Sequence, residues 1–299
     1  MVLTMRLDTV LEGRRQPVFS FEFFPPKTDE GVRQLFEAIS HLRELEPTFV
    51  SVTYGAGGSV RTRTVDLVTR IRRELDIEPV AHLTCVDATV DDLQGILDGL
   101  RDAGIDNVLA LRGDPPEGVE RFAPTAGGLA HGSELMELIT TRYGFCVGGA
   151  CYPEKHPESA DAEEDVRSAK RKADAGASYL ITNLFFDNRM YFDFVTRARA
   201  AGVTLPIIPG IMPVTNVDQV SRFTAKIGAS IPPALRVALE SRSDDPAAAL
   251  QLGVAWATLQ CSELLRAGAP GVHFITLNRS PATRAILSAL RVAQPWLRD

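Results

Sequence analysis

No run of the 299 residues is both long and apolar enough to span a membrane, and the opening Met1-Val2-Leu3-Thr4-Met5-Arg6 lacks the apolar core of a signal peptide. Basic residues are in deficit. With 32 Lys and Arg against 38 Asp and Glu the net charge is −6, which argues against a general nucleic-acid partner and leaves room only for a local basic patch. Cysteine is scarce: Cys85, Cys146, Cys151 and Cys261 show no C-x-x-C spacing and read as buried free thiols of a cytosolic protein. No His/Cys/Asp/Glu cluster has metal-ligand spacing, and His156 lacks a nearby second ligand, so no catalytic metal is expected. The P-loop, the dinucleotide fingerprint G-x-G-x-x-G and the G-x-S-x-G nucleophile elbow are all missing. No Pro/Ser-rich linker or low-complexity tract divides the chain. The expectation is one soluble, cytoplasmic domain over 1–299, with no membrane and no nucleic-acid partner.

What is present is a repeated strand–helix alternation. Apolar, β-branched or aromatic runs read as strands at Val18–Glu22, Phe49–Tyr54, Val80–Cys85, Asn107–Leu111, Cys146–Cys151, Tyr179–Phe186, Pro206–Met212 and Gly271–Leu277. Helical spacing fills the intervals, as in Val32, Leu35, Phe36, Ile39 and Leu42 behind a Thr28 cap. Further helices are expected over Asn216–Ile227, Pro232–Ser241 and Asp245–Gly268, and a last one over Pro281–Ala293. Ala-Gly pairs at 103–104, 175–176, 201–202 and 267–268 look like helix C-caps. Eight such units fit a closed (β/α)8 barrel with extra helices before the last strand, a doubly wound open sheet being the alternative.

In a barrel of this kind chemistry sits at the C-terminal ends of the strands. The first strand ends Phe21-Glu22-Phe23-Phe24-Pro25-Pro26, and Pro25-Pro26 cannot continue a ladder. A charge buried there must be paired or take up a proton, and a carboxyl kept neutral near pH 7 suits a general acid; an ordinary strand-end acid is the blander reading. Thr53-Tyr54-Gly55-Ala56-Gly57-Gly58-Ser59, His82, Arg112-Gly113-Asp114-Pro115-Pro116, the run from Tyr152 through His156, Asn183 and Thr276-Leu277-Asn278-Arg279 fall at corresponding ends. His82 alone would pass for a core histidine. Arg112-Gly113-Asp114 suits a fixed electrostatic site, and Arg171 and Lys172 suit either a solvated face or a diphosphate.

Taken together, FSFEFFPPK (19–27), FVSVTYGAGGS (49–59), AHLTC (81–85), LALRGDPP (109–116), YPEKHPES (152–159), KRKADAGA (170–177), PIIPGIMPVTN (206–216) and HFITLNRSPATR (273–284) resemble the 5,10-methylenetetrahydrofolate reductase family, in its bacterial single-domain form. The resemblance implies a TIM-barrel flavoprotein. In it NADH or NADPH reduces FAD, and the flavin reduces methylenetetrahydrofolate to the 5-methyl form used in one-carbon metabolism and methionine biosynthesis. It implies a homo-oligomer. Nothing corresponds to the C-terminal regulatory domain of eukaryotic members, so control by S-adenosylmethionine through such a domain is not expected.

On this resemblance Glu22 is the acid that protonates the folate so that its five-membered ring opens to an iminium cation, and Asp114 is the carboxylate that stabilises that cation. FAD contacts are expected from Thr53, Tyr54, Ala56, His82, Arg112, Gly113, Asp114, His131, Gly132, Tyr152, His156, Asp165, Ser168, Arg171 and Lys172. Folate contacts are expected from Asp114, Asn183, Gln219, Phe223 and Arg279. The chain departs from the family pattern at Asn183, where glutamine is frequent, at His131-Gly132 in place of a tyrosine and an alanine, at Ser168 in place of asparagine, and at Ile275 in place of an aromatic residue. These departures keep two alternatives open: a flavin-free reductase passing hydride directly from nicotinamide to folate, and a folate- or flavin-binding homologue without turnover.

Overall fold

The computed structural model describes residues 5–54, 58–115, 118–119, 121–214, 220–221, 223–224 and 227–297, with the side chains of 58–62 excepted. The elements run α1 (Leu7–Gly13), β1 (Val18–Phe23), α2 (Asp29–Arg43), β2 (Phe49–Val52), α3 (Gly58–Leu75), β3 (Pro79–Thr84), α4 (Val90–Asp102) and β4 (Asn107–Leu111). They continue α5 (Gly132–Arg142), β5 (Cys146–Cys151), α6 (Ala162–Asp174), β6 (Tyr179–Thr182), α7 (Asn188–Ala200), β7 (Ile207–Ile208) and β8 (Gly210–Ile211). The chain closes with α8 (Pro233–Glu240), α9 (Pro246–Arg266), β9 (Gly271–Ile275) and α10 (Pro281–Ala293).

Every strand pairing is parallel, in the order β7-β6-β5-β4-β3-β2-β1-β9-β8. β7 and β8 are one stretch of chain interrupted at Pro209, which has no N–H to give a ladder. The Pro209 carbonyl still accepts from His273 N at 2.9 Å, and Gly210 N donates to Thr182 Oγ1 at 2.8 Å. The nine segments therefore occupy eight positions around a nearly closed (β/α)8 barrel.

Local chemistry sets the helix ends. Thr28 accepts from Gly31 N, Thr89 and Asp92 form a reciprocal capping box, and Asp161 and Asp245 cap α6 and α9. The four Ala-Gly ends place Gly104, Gly176, Gly202 and Gly268 at φ of +72°, +93°, +83° and +91°.

Strand side chains divide between two cores. Outward-facing residues such as Phe21, Val50 and Leu83 join the helices in the larger cluster. The barrel interior is graded. Its lower part is apolar, built from Val18, Phe49, Val80, Leu109, Cys146, Tyr179 and Ile208, and is closed from below by Leu7 and Leu11 of α1. Tyr179 fills this layer only because residue 148 is glycine: a Cβ there would stand 2.4 Å from the Tyr179 ring. One step up the strands the interior turns polar, with Ser20, Ser51, His82 and His273 all buried.

The structure departs from the expected elements at several points. α1 was not anticipated. The second strand stops at Val52, before Tyr54, and the sixth stops at Thr182, because Asn183 Oδ1 accepts from Leu184 N at 2.7 Å and turns the chain out of the ladder. The helix expected over 216–227 lies partly outside the described residues, of which 220–221, 223–224 and 227 are helical.

Candidate active site

Glu22 stands at the upper end of β1, and the alternation of strand side chains puts Ser20 one step below it on the same inward face. Register brings Ser20 opposite His273 of β9, across the seam where first and last strands meet. Ser20 Oγ lies 2.7 Å from His273 Nδ1, and His273 Nε2 lies 3.4 Å from Glu22 Oε2. With a neutral ring, one proton arrangement satisfies both contacts: the Ser20 hydroxyl donates to Nδ1 and the Nε2–H donates to the carboxylate. Phe49 stacks on the His273 ring at 5.9 Å and 20°, fixing its plane. Thr276 Oγ1 donates to the Glu22 carbonyl at 2.6 Å, which holds the strand end in place.

His82 Nε2 approaches the same Glu22 oxygen at 3.7 Å, beyond hydrogen-bonding distance. Burial, opposed by Glu22 and reinforced by His273, depresses the His82 pKa to about 4, so its ring is neutral at pH 7. Burial pushes the Glu22 carboxyl upward, but the His273 hydrogen bond and the neighbouring rings outweigh it, and the net direction is downward. The His273 hydrogen bond is the largest of the lowering contributions. Glu22 thus has a hydrogen-bonding partner in His273, as a buried acid requires.

A second group of residues gathers around the ends of β4 and β5. Arg112 Nη1 donates to Glu158 Oε2, and its guanidinium lies 4.8 Å from the centroid of the Phe122 ring. Lys172 is half-buried and donates to the Ala150 carbonyl at 2.6 Å; desolvation lowers its pKa, against the pull of Cys151 and Asp165. Arg171 Nη2 pairs with Glu164 at 2.6 Å on the exposed side of α6. Asp165 is committed to the protein itself, accepting from His156 N and Ser159 Oγ, each at 3.0 Å. Tyr152 meets the His156 ring edge-on at 4.6 Å, and burial raises its hydroxyl to about 12.

One cleft of about 590 Å³ joins the two groups. It brings together Glu22, Thr53, Tyr54, His82, Arg112, Gly113, Asp114, His131, Gly132, Tyr152, His156, Asp165, Ser168, Arg171, Lys172, Asn183 and Phe223. Asp114 is exposed at its mouth. His131 is the N-cap residue of α5, its backbone N–H held by Glu134 at 3.2 Å. Gly132 packs so closely on the end of β4 that a Cβ would stand 3.2 Å from Arg112 N. Arg279 is exposed on the loop after β9 and is not among the residues that line the cleft, because its backbone turns back with its N–H on the Thr276 carbonyl. Ala56 and Gln219 lie outside the described residues.

Sequence reasoning assigned no role to four residues that line or support the site: Ser20, His273, Thr84 and Glu158. The signal for the first two was available in the barrel itself. A closed barrel pairs its last strand with its first, and Ser20 shares the face of Glu22. Thr84 Oγ1 is buried, lines the cleft and has no protein partner, as befits a hydroxyl aimed at a ligand.

Residues 6–291 match the family model for methylenetetrahydrofolate reductase. The chain is 38% identical to the 5,10-methylenetetrahydrofolate reductase of Escherichia coli, the alignment covering 95% of this chain and 94% of the relative. It is 37% identical to methylenetetrahydrofolate reductase (NADH) 1 of Arabidopsis thaliana over 95% of this chain and 51% of the relative, and 34% identical to methylenetetrahydrofolate reductase 2 of Saccharomyces cerevisiae over 96% and 50%. The chain thus spans about half the length of the plant and yeast relatives and nearly the whole of the bacterial one.

Proposed function

The chain belongs to the methylenetetrahydrofolate reductase family, and from that premise we propose that it reduces 5,10-methylenetetrahydrofolate to 5-methyltetrahydrofolate with a reduced nicotinamide as donor and FAD as carrier. The observation that carries the reading is one cleft joining a histidine-bonded carboxylate to a cationic, hydroxyl-lined end. The residues fit the cofactor. Arg112 and Arg171 offer planar forks and Lys172 a point charge for a diphosphate, and Thr84 Oγ1 is a buried hydroxyl wanting a partner. When bound there, FAD would take hydride from the nicotinamide and give it to the folate.

The protein's own part is proton and charge management. Methylenetetrahydrofolate becomes an electrophile when its ring opens to an iminium cation, which requires a proton on the nitrogen that departs. Glu22 is the donor at the cleft surface, where it regains its proton from solvent once product leaves, and His273, anchored by Ser20, holds its carboxyl in position. Asp114 at the mouth places a negative charge where the cation develops. The apolar layer beneath, closed by α1, keeps bulk water from reaching these groups through the barrel floor.

The visible absorption spectrum of freshly purified protein, with anaerobic turnover of methylenetetrahydrofolate and NADH measured with and without added FAD, tests the proposal. Flavin absorbance and FAD-stimulated turnover are expected. Turnover without flavin would favour direct hydride transfer, and flavin or folate binding without turnover would reduce the chain to a binding homologue.

A further inference from the structure

Arg112, one of the cations that line the cleft, already has a carboxylate partner. Its Nη1 donates to Glu158 Oε2, Phe122 lies beneath its guanidinium, and the Phe122 N–H also serves the Glu158 carboxylate. Both partners line the cleft, with the Glu158 side chain 35% exposed and that of Arg112 22% exposed. The backbone beneath Glu158 is held independently of this pair. Glu158 N donates to His156 Nδ1 at 3.1 Å, His156 N and Ser159 Oγ are fastened to Asp165, and Lys155 Nζ donates to the Ser159 carbonyl at 2.8 Å. The carboxylate can therefore leave Arg112 by side-chain rotation while its loop stays fixed. A phosphate offered to Arg112 meets a like charge on the way in and an occupied guanidinium on arrival.

We propose that Glu158 is a displaceable counter-ion of Arg112, pushed aside by the diphosphate of an incoming nucleotide and returning when that group leaves, so that it sets how tightly a diphosphate ligand is held. For FAD as that ligand the inference rests on the function proposed above. Arg171 differs: its partner Glu164 is shared with Arg167 on the same helix face, so that pair is a surface network rather than a single gate.

Calorimetric titration of FAD, ADP and riboflavin into the wild-type protein, Glu158→Gln and Glu158→Asp separates the possibilities. ADP carries the diphosphate without the flavin, and riboflavin the flavin without phosphate. Removing a half-exposed ion pair that competes with the ligand should tighten FAD and ADP by about fivefold in Glu158→Gln and leave riboflavin unchanged. Glu158→Asp, whose carboxylate is one methylene short of Arg112, should fall between the two and carries the test if the amide variant does not fold. Equal or weaker FAD and ADP binding in both variants overturns the inference, since Glu158 would then merely position Arg112. If FAD and riboflavin bind to no protein while ADP still tightens, the displaceable pair stands and the flavin reading fails.

Discussion

Replacing His273 by Leu should change the sign of Glu22's contribution to stability as pH varies. In the wild-type protein the His273 bond keeps the Glu22 carboxyl below its ordinary value of 4.5 despite burial. A carboxyl depressed by folding stabilises above its unfolded pKa, and that stability disappears only as pH falls through the lower folded value. Between pH 5 and 8 the contribution is therefore constant. Without His273 the burial remains, His82 is neutral, and the folded pKa rises above the ordinary value. A carboxyl raised by folding stabilises below its unfolded pKa, and the contribution is lost as pH climbs through the folded value, at up to about 1.4 kcal/mol per unit.

Two losses add at neutral pH. A hydrogen bond to a charged group contributes about 1.5–3 kcal/mol, and the Ser20 hydroxyl, fully buried, is left without its partner at a cost of about 1–3 kcal/mol. The variant should be roughly 3 kcal/mol less stable at pH 7. Urea unfolding of four proteins isolates the Glu22 part: wild type, Glu22→Gln, His273→Leu and the double variant, each from pH 5 to 8. The stability difference made by Glu22→Gln should be flat with pH in the wild-type background and should fall with rising pH in the His273→Leu background. A flat difference in both would refute the claim that His273 governs the charge of Glu22.

Glu22→Gln should lower methylenetetrahydrofolate reduction by at least about a hundredfold, the range of a lost general acid, while NADH oxidation with an artificial electron acceptor is spared; equal loss in both assays would remove Glu22 from the folate step. Asp114→Asn should slow folate reduction by about tenfold, less than an enclosed electrostatic group because Asp114 is exposed, and an unchanged single-turnover rate would contradict its assignment. Gly148→Ala drives a Cβ to 2.4 Å from the Tyr179 ring and should cost about 1–3 kcal/mol in urea unfolding; unaltered stability would mean that the barrel floor is looser than its packing indicates.

The barrel was legible because its units repeat one local pattern, an apolar strand and an amphipathic helix, with an Ala-Gly end that fits the left-handed C-cap at four of the helices. Elements without such a pattern were lost. α1 spans only Leu7–Gly13 and buries two leucines, too few to establish a period, and its role appears only once the barrel has a floor to close. The candidate site divides in the same way. Glu22, Arg112 and Asp114 announce themselves as charges at strand ends. Their partners do not. His273 meets Ser20 across 253 residues and Glu158 meets Arg112 across 46, contacts fixed by barrel closure and loop packing rather than by local sequence. Arg279, a residue type suited to a carboxylate, stands exposed on the loop after β9.

Glu22 is held as a carboxylate, yet the proposed reaction requires it to give a proton, and the geometry reconciles the two. His273 Nε2 lies 3.4 Å from Glu22 Oε2 and holds the carboxyl by a hydrogen bond rather than by a permanent opposite charge. His273 lies deeper, stacked on Phe49 and hydrogen-bonded to Ser20, whereas Glu22 faces the cleft. A proton taken up by Glu22 from the cleft can be passed on when a basic nitrogen is presented to the carboxyl. The pairing with His273 thus orients Glu22, and the cleft it faces resupplies its proton.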